Sequence, residues 1–393
     1  MRKLVFAALA GLLVSTSGAL AQDGCGGAFS GFVNGLRVEA VQRGFAQGTV
    51  DAFFRNVRQD EAVVRADRRQ GIFQRPFIDF SRALISQNRL DNGRRNHDRY
   101  RALFDAARQH YGVSPGILLA FWAFETDFGA VQGDFNTVNA LVTLAHDCRR
   151  PGLFRPQVFA ALELYSRGAL DPATTRGAWA GEIGMVQKLP SDILNYGVDA
   201  DGSGAVDLVR SVPDAILSAA NMLRGKGWRA GEPWMHEVAI PQGLDLNRTG
   251  LRTELSVADW QRLGVTPRYG SLPSGNMRAS VILPQGHRGP AFMVFHNFRT
   301  LFEWNQSFIY IVTVGYFANR LEGAPIYTAG NPHTGLNQDQ MRDLQRRLQS
   351  RGFDVGGIDG ILGANTRAAV QDVQAQLGLP ADGWPTPELL RRL

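Results

Sequence analysis

The strongest hydrophobic pattern in the chain is the uninterrupted apolar run at residues 117–124. Ser114 and Pro115 precede this run in the order that is typical of an N-cap and a first helical residue. Because the run is apolar on every face of a helix, it predicts a helix buried in the protein core. Glu125 follows the last apolar residue. The pattern therefore places a carboxyl group at the end of a buried helix.

A second pattern, at residues 336–393, predicts three short helices. Asn337 and Gln340 are spaced like a capping box, and Thr386-Pro387 is typical of a helix start. The first helix has apolar positions at helical spacing, namely Met341, Leu344 and Leu348. The second helix is marked in the same way by Ala368, Ala369, Val373 and Leu377. Together these segments predict a small three-helix bundle.

Glycine and proline residues interrupt the pattern between residues 323 and 335, which indicates a domain boundary. We therefore expect one large, mainly helical domain over residues 22–323, a linker over 324–335 and the small helical domain over 336–393. The chain is long enough for two or three domains and apolar enough, at 44% hydrophobic residues, to bury a core.

The N-terminus predicts export. Arg2 and Lys3 precede an apolar segment, 4–14, and Ala19-Leu20-Ala21 follows as a small-residue cleavage site. This order is typical of a secretory signal, here residues 1–21, and the apolar segment is too short to span a bilayer. We expect a periplasmic or otherwise exported protein without a membrane anchor.

The net charge of the chain restricts the class of binding partner only in part. The formal net charge is +6 and the isoelectric point about 9.6, which favours anionic partners such as a membrane surface, nucleic acid or an acidic cell-wall polymer. The positive residues do not form the block of like charges that is typical of a nucleic-acid tail. No nucleic acid partner is expected, and the sequence does not identify a protein partner.

Two cysteines, Cys25 and Cys148, are present. In an oxidising compartment an even number of cysteines indicates a disulfide. The alternative is two unrelated buried thiols, but export favours the disulfide.

Several enzyme classes lack their motifs. His236-Glu237 is not followed by a second histidine at the spacing of a zinc peptidase, and neither a Walker loop nor a nucleophile elbow occurs. Glu125 remains as a candidate, because a carboxyl group held against apolar side chains has a raised pKa, as a glycosidase's general acid does. Helical periodicity alone leaves open that Glu125 lies at an exposed helix end and points to water.

Ordered motifs carry a resemblance to a known family. They are Glu125-Thr126-x-Phe128-Gly129, Gly177-x-Trp179-Ala180-Gly181-x-Ile183-Gly184-x-x-Gln187-x-Leu189-Pro190-Ser191, Asp199-x-Asp201-Gly202-Ser203-Gly204-x-x-Asp207, Gly289-Pro290-Ala291-Phe292, Asn297-Phe298 and Asn305-x-Ser307-x-x-Tyr310. In order and spacing the chain resembles the lytic murein transglycosylase B family over roughly residues 25–322. The resemblance implies a lysozyme-like helical catalytic domain with a minor β element.

The resemblance also implies a mechanism that needs no cofactor. Glu125 would protonate the oxygen that links N-acetylmuramic acid to N-acetylglucosamine in peptidoglycan, and would then take the proton of the muramic C6 hydroxyl. The products would be 1,6-anhydromuramic ends, formed without water. Gln187, Asn305 and Tyr310 would bind substrate. Asp127, two residues after Glu125, should point away from it on a helix.

This chain departs from the family pattern at four positions. It has Ala178 where serine is frequent and Lys188 where an aromatic residue is frequent, and Met222 and Trp304 replace tyrosines. These changes affect the sugar-binding details and leave Glu125 in place. Lys188 would lie either near a substrate carboxylate or at the surface, and the sequence does not decide between the two.

Residues 336–393 resemble a peptidoglycan-binding domain of the three-helix type, on Leu344-Gln345, Gly352-Phe353, Ile358-Asp359-Gly360-Ile361-Leu362-Gly363, Thr366, Ala369-Val370, Gln374, Gly378-Leu379 and Asp382-Gly383. Together the two resemblances imply an enzyme whose partner is the glycan strand of peptidoglycan. Two alternatives remain, namely a hydrolytic muramidase, and a non-catalytic cell-wall-binding scaffold.

The acidic loop raises the question of a metal. Asp199, Asp201, Ser203 and Asp207 fall at positions 1, 3, 5 and 9 of an EF-hand-like pattern. The bidentate acid of position 12 is missing, although Asp214 lies close enough to reach back. The loop either binds a weak structural calcium ion or is a metal-free turn capped by its own aspartates.

Overall fold

The computed structural model describes residues 25–68 and 75–393, so the predicted signal segment 1–21 lies outside the described residues. The helices are α1 Phe29–Gln42, α2 Gln47–Phe54, α3 Glu61–Arg68, α4 Phe77–Leu84, α5 Gln87–Arg99, α6 Arg101–Tyr111, α7 Pro115–Thr126, α8 Thr137–His146, α9 Pro151–Ser166, α10 Pro190–Tyr196, α11 Val212–Gly225, α12 Val257–Arg262, α13 His296–Thr300, α14 Phe308–Leu321, α15 Gln338–Ser350, α16 Ala364–Gln376 and α17 Pro387–Arg392. The expected mainly helical class is confirmed.

Helix α7 is the apolar run of the sequence, and it lies in the main core. Residues 116–123 of this helix are buried. Helix α14 packs along it, and the rings of Phe124 and Phe317 stack 4.9 Å apart at 14°. Because α14 is itself buried over nearly its whole length, the two helices form a rigid support for the side chains at their ends.

The minor β element is a five-stranded antiparallel sheet with a separate two-stranded ribbon. The strands are β1 Phe135–Asn136, β2 Arg176–Gly177, β3 Met235–Ala239, β4 Leu255–Ser256, β5 Thr266–Pro267, β6 Arg278–Ile282 and β7 Phe292–Val294. The sheet has the order β4-β6-β7-β3-β5, and Met293 pairs with both Val281 and His236. Its own apolar cluster, around Trp260, fills one face of the sheet.

Helices α15 to α17 form a small unit with a separate apolar core around Leu344 and Val370. Polar contacts hold this unit against the larger domain. Arg252 donates to Asp372 at 2.7 Å, and Gln371 Nε2 donates to the Thr249 carbonyl at 2.9 Å. These contacts dock the small domain against its neighbour.

The segment expected as a linker, 324–335, also contacts the larger domain. Tyr327 is buried, with its ring 5.2 Å from that of Phe77, and the Thr328 amide donates to Glu237 at 2.7 Å. Its glycines and prolines therefore shape a chain segment that follows the protein surface.

The disulfide expected from the cysteine count is confirmed. Cys25 and Cys148 are joined with their Cα atoms 5.4 Å apart. The neighbouring Gly26 amide donates to the carbonyl of His146 at 2.9 Å, so the bridge fixes the start of the described chain to the end of α8. Within residues 25–68 and 75–393, no helix is long and apolar enough to cross a membrane.

Candidate active site

The end of α7 is shaped to present Glu125. The helix starts at Ser114, whose Oγ accepts from the Gly116 amide at 3.2 Å, as expected of an N-cap. It ends because Asp127, Phe128 and Gly129 all adopt left-handed backbone angles, with φ of 51°, 61° and 87°. Non-glycine residues rarely adopt this conformation. The turn leaves Glu125 in the last helical turn.

Thr126 locks this turn to the rest of the site. Its Oγ1 donates to the Met185 carbonyl at 2.6 Å and accepts from the Gly129 amide at 2.9 Å. Met185 lies in a tight hairpin that is closed by two backbone hydrogen bonds between Ile183 and Lys188, at 2.8 and 3.0 Å. The threonine that follows Glu125 therefore couples the helix end to the hairpin.

The carboxyl group of Glu125 receives two hydrogen bonds. Its Oε1 accepts from the Tyr310 hydroxyl at 2.5 Å and from Trp304 Nε1 at 3.0 Å. Burial raises the pKa of Glu125 above its usual value, and this effect outweighs the opposing effects of Tyr310, Lys188 and Trp304. The side chain keeps part of its surface open to solvent. Glu125 is therefore a carboxyl group with a raised pKa that outside molecules can reach.

Trp304 and Lys188 complete the surroundings of this carboxyl group. The Trp304 ring stacks on Phe121, with centroids 3.8 Å apart and planes at 10°. The Nζ atom of Lys188 lies 2.8 Å from the Trp304 ring centroid. Lys188 is only 4% exposed, and burial lowers its pKa to about 7. The surface placement that the sequence left open for Lys188 is wrong, because the hairpin turns this side chain inward.

Glu182, at the other end of the hairpin, is a group that sequence reasoning missed. Its Oε2 is buried without a hydrogen-bond partner among the described residues. Burial, followed by the charge of Glu125, raises its pKa to about 7. The motif did not reveal Glu182, because the motif does not specify the residue at this position between the glycines and because the chemistry of Glu182 depends on burial.

The other predicted site residues do not all contact Glu125. Gln187 sits in the hairpin with a φ of 49°, and its Nε2 donates to the Gly184 carbonyl at 2.7 Å. Asn305 Oδ1 accepts from the Ser307 amide at 2.8 Å, at the start of α14. Tyr310 alone of the three predicted residues bonds directly to Glu125. Asp127 instead accepts from Arg89 Nε at 3.0 Å, pointing away as expected.

The carboxylates that converge in the acidic loop are not the same set as the sequence predicted. Oxygens of Asp199, Asp201 and Asp214 lie within 4.8 Å of one another. Asp207 instead pairs with Arg210 at 2.7 Å. The hydroxyl of Ser203 donates to the Ala205 carbonyl at 3.1 Å. Asp214 therefore contributes to the cluster where Asp207 does not.

Comparison with known proteins identifies two families along the chain. Residues 28–319 match the model of the transglycosylase SLT domain, and residues 337–393 match that of a peptidoglycan binding domain. Membrane-bound lytic murein transglycosylase B of Escherichia coli K12 is 29% identical over 242 residues, which cover 61% of this chain and 65% of that protein's length.

Solved structures extend the likeness to both domains. SltB3 from Pseudomonas aeruginosa, in complex with NAG-NAM-pentapeptide, is 37% identical with a TM-score of 0.85, covering 93% of this chain and 100% of that one. The Escherichia coli lytic transglycosylase Slt35, in complex with calcium, is 25% identical with a TM-score of 0.65, covering 76% and 95% of the two chains. On the match over residues 28–319, this chain belongs to the transglycosylase SLT domain family.

Proposed function

We propose that this protein is a lytic transglycosylase that cleaves the β-1,4 bond between N-acetylmuramic acid and N-acetylglucosamine in peptidoglycan, leaving 1,6-anhydromuramic ends. The observation that carries the proposal is the Glu125 carboxyl group, which combines a raised pKa with two hydrogen-bond donors and access to solvent. Family membership and the likeness to SltB3, which is known in complex with a peptidoglycan fragment, support the substrate class.

Glu125 serves as acid and then as base. In its protonated form, which burial favours, it gives its proton to the glycosidic oxygen. The donors of Tyr310 and Trp304 then stabilise the carboxylate that remains. That carboxylate takes the proton of the muramic C6 hydroxyl while the C6 oxygen attacks C1. The new bond between this oxygen and C1 closes within the sugar, so no water is added.

A hydrolytic muramidase is the runner-up, and it usually needs a second carboxylate that activates water. Glu182 is a buried carboxyl group whose pKa responds to the charge of Glu125. Its enclosed Oε2 is a poor place to hold an attacking water. A non-catalytic scaffold, in turn, would not need the carboxyl group of Glu125 to be held by hydrogen bonds. The observations therefore favour the mechanism in which one carboxyl group, that of Glu125, carries out catalysis.

Product masses separate these readings. Purified peptidoglycan is digested with the protein, and the muropeptides are analysed by mass spectrometry. We expect anhydro products, lighter by one water than the hydrolytic products. Reducing ends would identify a muramidase, and an undigested wall would identify a scaffold.

The proposed substrate lies outside the cytoplasm, and an exported or periplasmic location follows from it. The disulfide between Cys25 and Cys148 is of the kind that persists in an oxidising compartment. A fusion of residues 1–30 to a reporter that is active only after export tests the predicted signal.

Removal of residues 336–393 is expected to weaken binding to insoluble sacculi by about ten-fold or more, because a second binding module raises the local concentration of the first on a polymer. Cleavage of short soluble glycans should persist, since Glu125 and its partners all lie before residue 336. A sacculus pull-down and a soluble-glycan assay measure the two effects.

The matched control for this truncation is Asp372→Ala. It breaks the ion pair with Arg252 at the docking interface while keeping the whole domain. We expect its sacculus binding to match that of the full chain. Equal binding by truncated and full-length protein would show that the domain does not tether the enzyme.

The acidic loop is expected to bind a weak structural calcium ion through Asp199, Asp201 and Asp214, because converging carboxylate oxygens suit that ion. Millimolar calcium added to chelator-treated protein should raise the melting temperature by about 1–2 °C, the shift that ~1 kcal/mol gives in a domain of this size.

Asp199→Ala should remove this gain. Its own melting temperature starts lower, because the Asp199 carboxylate accepts from the amides of Ser203 and Gly204 at 3.0 and 2.8 Å. The calcium-dependent difference is therefore the readout, measured by calorimetry. An unchanged melting temperature in the wild-type protein would identify a metal-free loop.

A further inference from the structure

The indole of Trp304 lies between an ammonium group and a carboxyl group. Its edge faces Glu125, to which Nε1 donates at 3.0 Å, and one ring face is covered by Phe121 at 3.8 Å. A parallel ring at that distance leaves no room for another group on the same face. Lys188 Nζ, 2.8 Å from the ring centroid, therefore occupies the opposite face. One aromatic ring contacts an ammonium group by its face and a carboxyl group by its N–H.

This arrangement has a chemical consequence for Glu125. A cation over an indole is attracted by the electron-rich face, and it draws electron density away from the ring nitrogen. The N–H then becomes a stronger donor, and a donor of this kind stabilises an ionised acceptor more than a neutral one. Among the described side chains, Lys188 and Glu125 share no direct hydrogen bond or ion pair. Their charges also act on each other through space, and the ring is in contact with both groups.

Lys188 is surrounded mainly by acidic groups. Burial lowers its pKa to about 7, against the opposing charges of Glu125 on α7, Asp192 on α10 and Glu182 in the hairpin, while Lys226 after α11 lowers it further. A lysine with this pKa is charged below neutral pH and partly charged at neutral pH. The ammonium group is thus present under the conditions in which a periplasmic enzyme works.

Two departures from the family pattern meet at this contact. Lys188 stands where an aromatic residue is frequent, and Trp304 stands where tyrosines occur in related enzymes. They are far apart in sequence and touch in the fold.

Resting on the proposed function, we propose that Lys188 is a positioning residue for Glu125 that acts through Trp304. Its ammonium group on the indole face strengthens the N–H bond to the carboxyl group and stabilises the carboxylate that remains when the proton passes to the glycosidic oxygen. Lys188 touches neither substrate nor the reacting atoms in this role.

The first test is Lys188→Met, which removes the charge and keeps an unbranched side chain. We expect kcat to fall about ten-fold, since loss of the cation on the ring leaves the carboxylate less stabilised, with KM little changed. Lys188 favours ionised Glu125, and activity is lost as Glu125 ionises with rising pH. Removing Lys188 therefore moves the alkaline limb of the kcat profile to higher pH. A lysine with only a structural role would lower activity without moving that limb.

Two variants serve as controls. Lys188→Arg keeps a cation that stacks on aromatic rings, and should retain most of kcat. Lys226→Met removes a neighbouring positive charge that pairs with Glu303 at 3.5 Å, and should leave kcat near the wild-type value. Circular dichroism and melting temperature establish that each variant is folded.

The decisive test combines Lys188→Met with Trp304→Phe. Phenylalanine keeps a ring face for the cation and lacks the N–H, so Lys188→Met should change kcat much less in that background. The same loss in both backgrounds would overturn the relay, as would an unchanged kcat and pH profile in the single variant. Wild-type digests that lack anhydro products would instead refute the proposed function, whatever the variants do.

Discussion

Replacing Glu125 with glutamine is expected to abolish cleavage of peptidoglycan. Glutamine has the shape of glutamate, and its amide oxygen can still accept from Tyr310 and Trp304, which now hold Oε1 at 2.5 and 3.0 Å. It cannot give up and recover a proton. Loss of general acid–base catalysis costs on the order of a hundred-fold or more. The rate of anhydro-muropeptide release measures the effect, and near-normal activity would exclude Glu125 as the catalytic acid.

The pH dependence of the free energy of unfolding provides a second measurement on this variant, and its direction can be predicted. The pKa of Glu125 is raised in the folded state, so the folded protein favours the protonated carboxyl group. The stability from that preference is fully present below the unfolded-state pKa of glutamate and is lost as pH rises through the folded pKa. Glutamine does not titrate. The free energy of unfolding of Glu125→Gln, relative to wild type, should therefore increase with pH in urea titrations.

Asp127→Asn is the matched control for Glu125→Gln. It makes the same chemical change two residues later, where the carboxylate pairs with Arg89 and is 40% exposed. We expect activity within a few-fold of wild type. A loss as large as that of Glu125→Gln would mean that the turn after α7, and not the acid, limits the reaction.

Removal of the disulfide is expected to have the largest effect on stability. The bridge closes a loop with a sequence separation of 123 residues. Chain-entropy models give roughly 4–5 kcal/mol for a loop of this size, as an upper expectation. The double variant with serine at both Cys25 and Cys148 should unfold at a lower denaturant concentration by an amount approaching this value, because the bridge restricts the unfolded chain.

Reductant provides the control for the disulfide. Wild-type protein should become less stable when reduced, whereas the double serine variant should not respond. The hydrogen bonds between the first described residues and His146, at 2.9 and 3.0 Å, remain in both proteins and should preserve the fold. Two free thiols in unfolded, unreduced wild-type protein would contradict the bridge.

The parts of the fold that could be predicted are those with a local cause. An apolar run after Ser114 and Pro115 predicts α7, and the helical spacing of apolar residues after Asn337 predicts α15. The five-stranded sheet could not be located in this way, because its strands span only two to five residues each. Such short strands have too few alternating positions to give a pattern, and their pairing depends on distant segments.

The residues of the candidate site can likewise be predicted only where a local pattern in the sequence indicates them. Glu125 is predicted by a family motif at the end of an apolar helix, and Tyr310 by another motif. Lys188, Glu182 and Trp304 acquire their chemistry from burial and from contacts across long stretches of sequence. Nothing local in the sequence shows that the hairpin turns Lys188 onto the ring of Trp304. The docking of the C-terminal domain rests in the same way on single side chains, such as Gln371 against Thr249.

One measurement tests the central claim most directly, which is that Glu125 cleaves the glycan without adding water. Wild-type protein and Glu125→Gln are each incubated with purified sacculi in water enriched in heavy oxygen, and the released muropeptides are weighed by mass spectrometry. We expect anhydromuramic ends without the heavy isotope from wild-type protein, and no release by the variant. Reducing ends that carry the heavy isotope, or equal release by the variant, would contradict it.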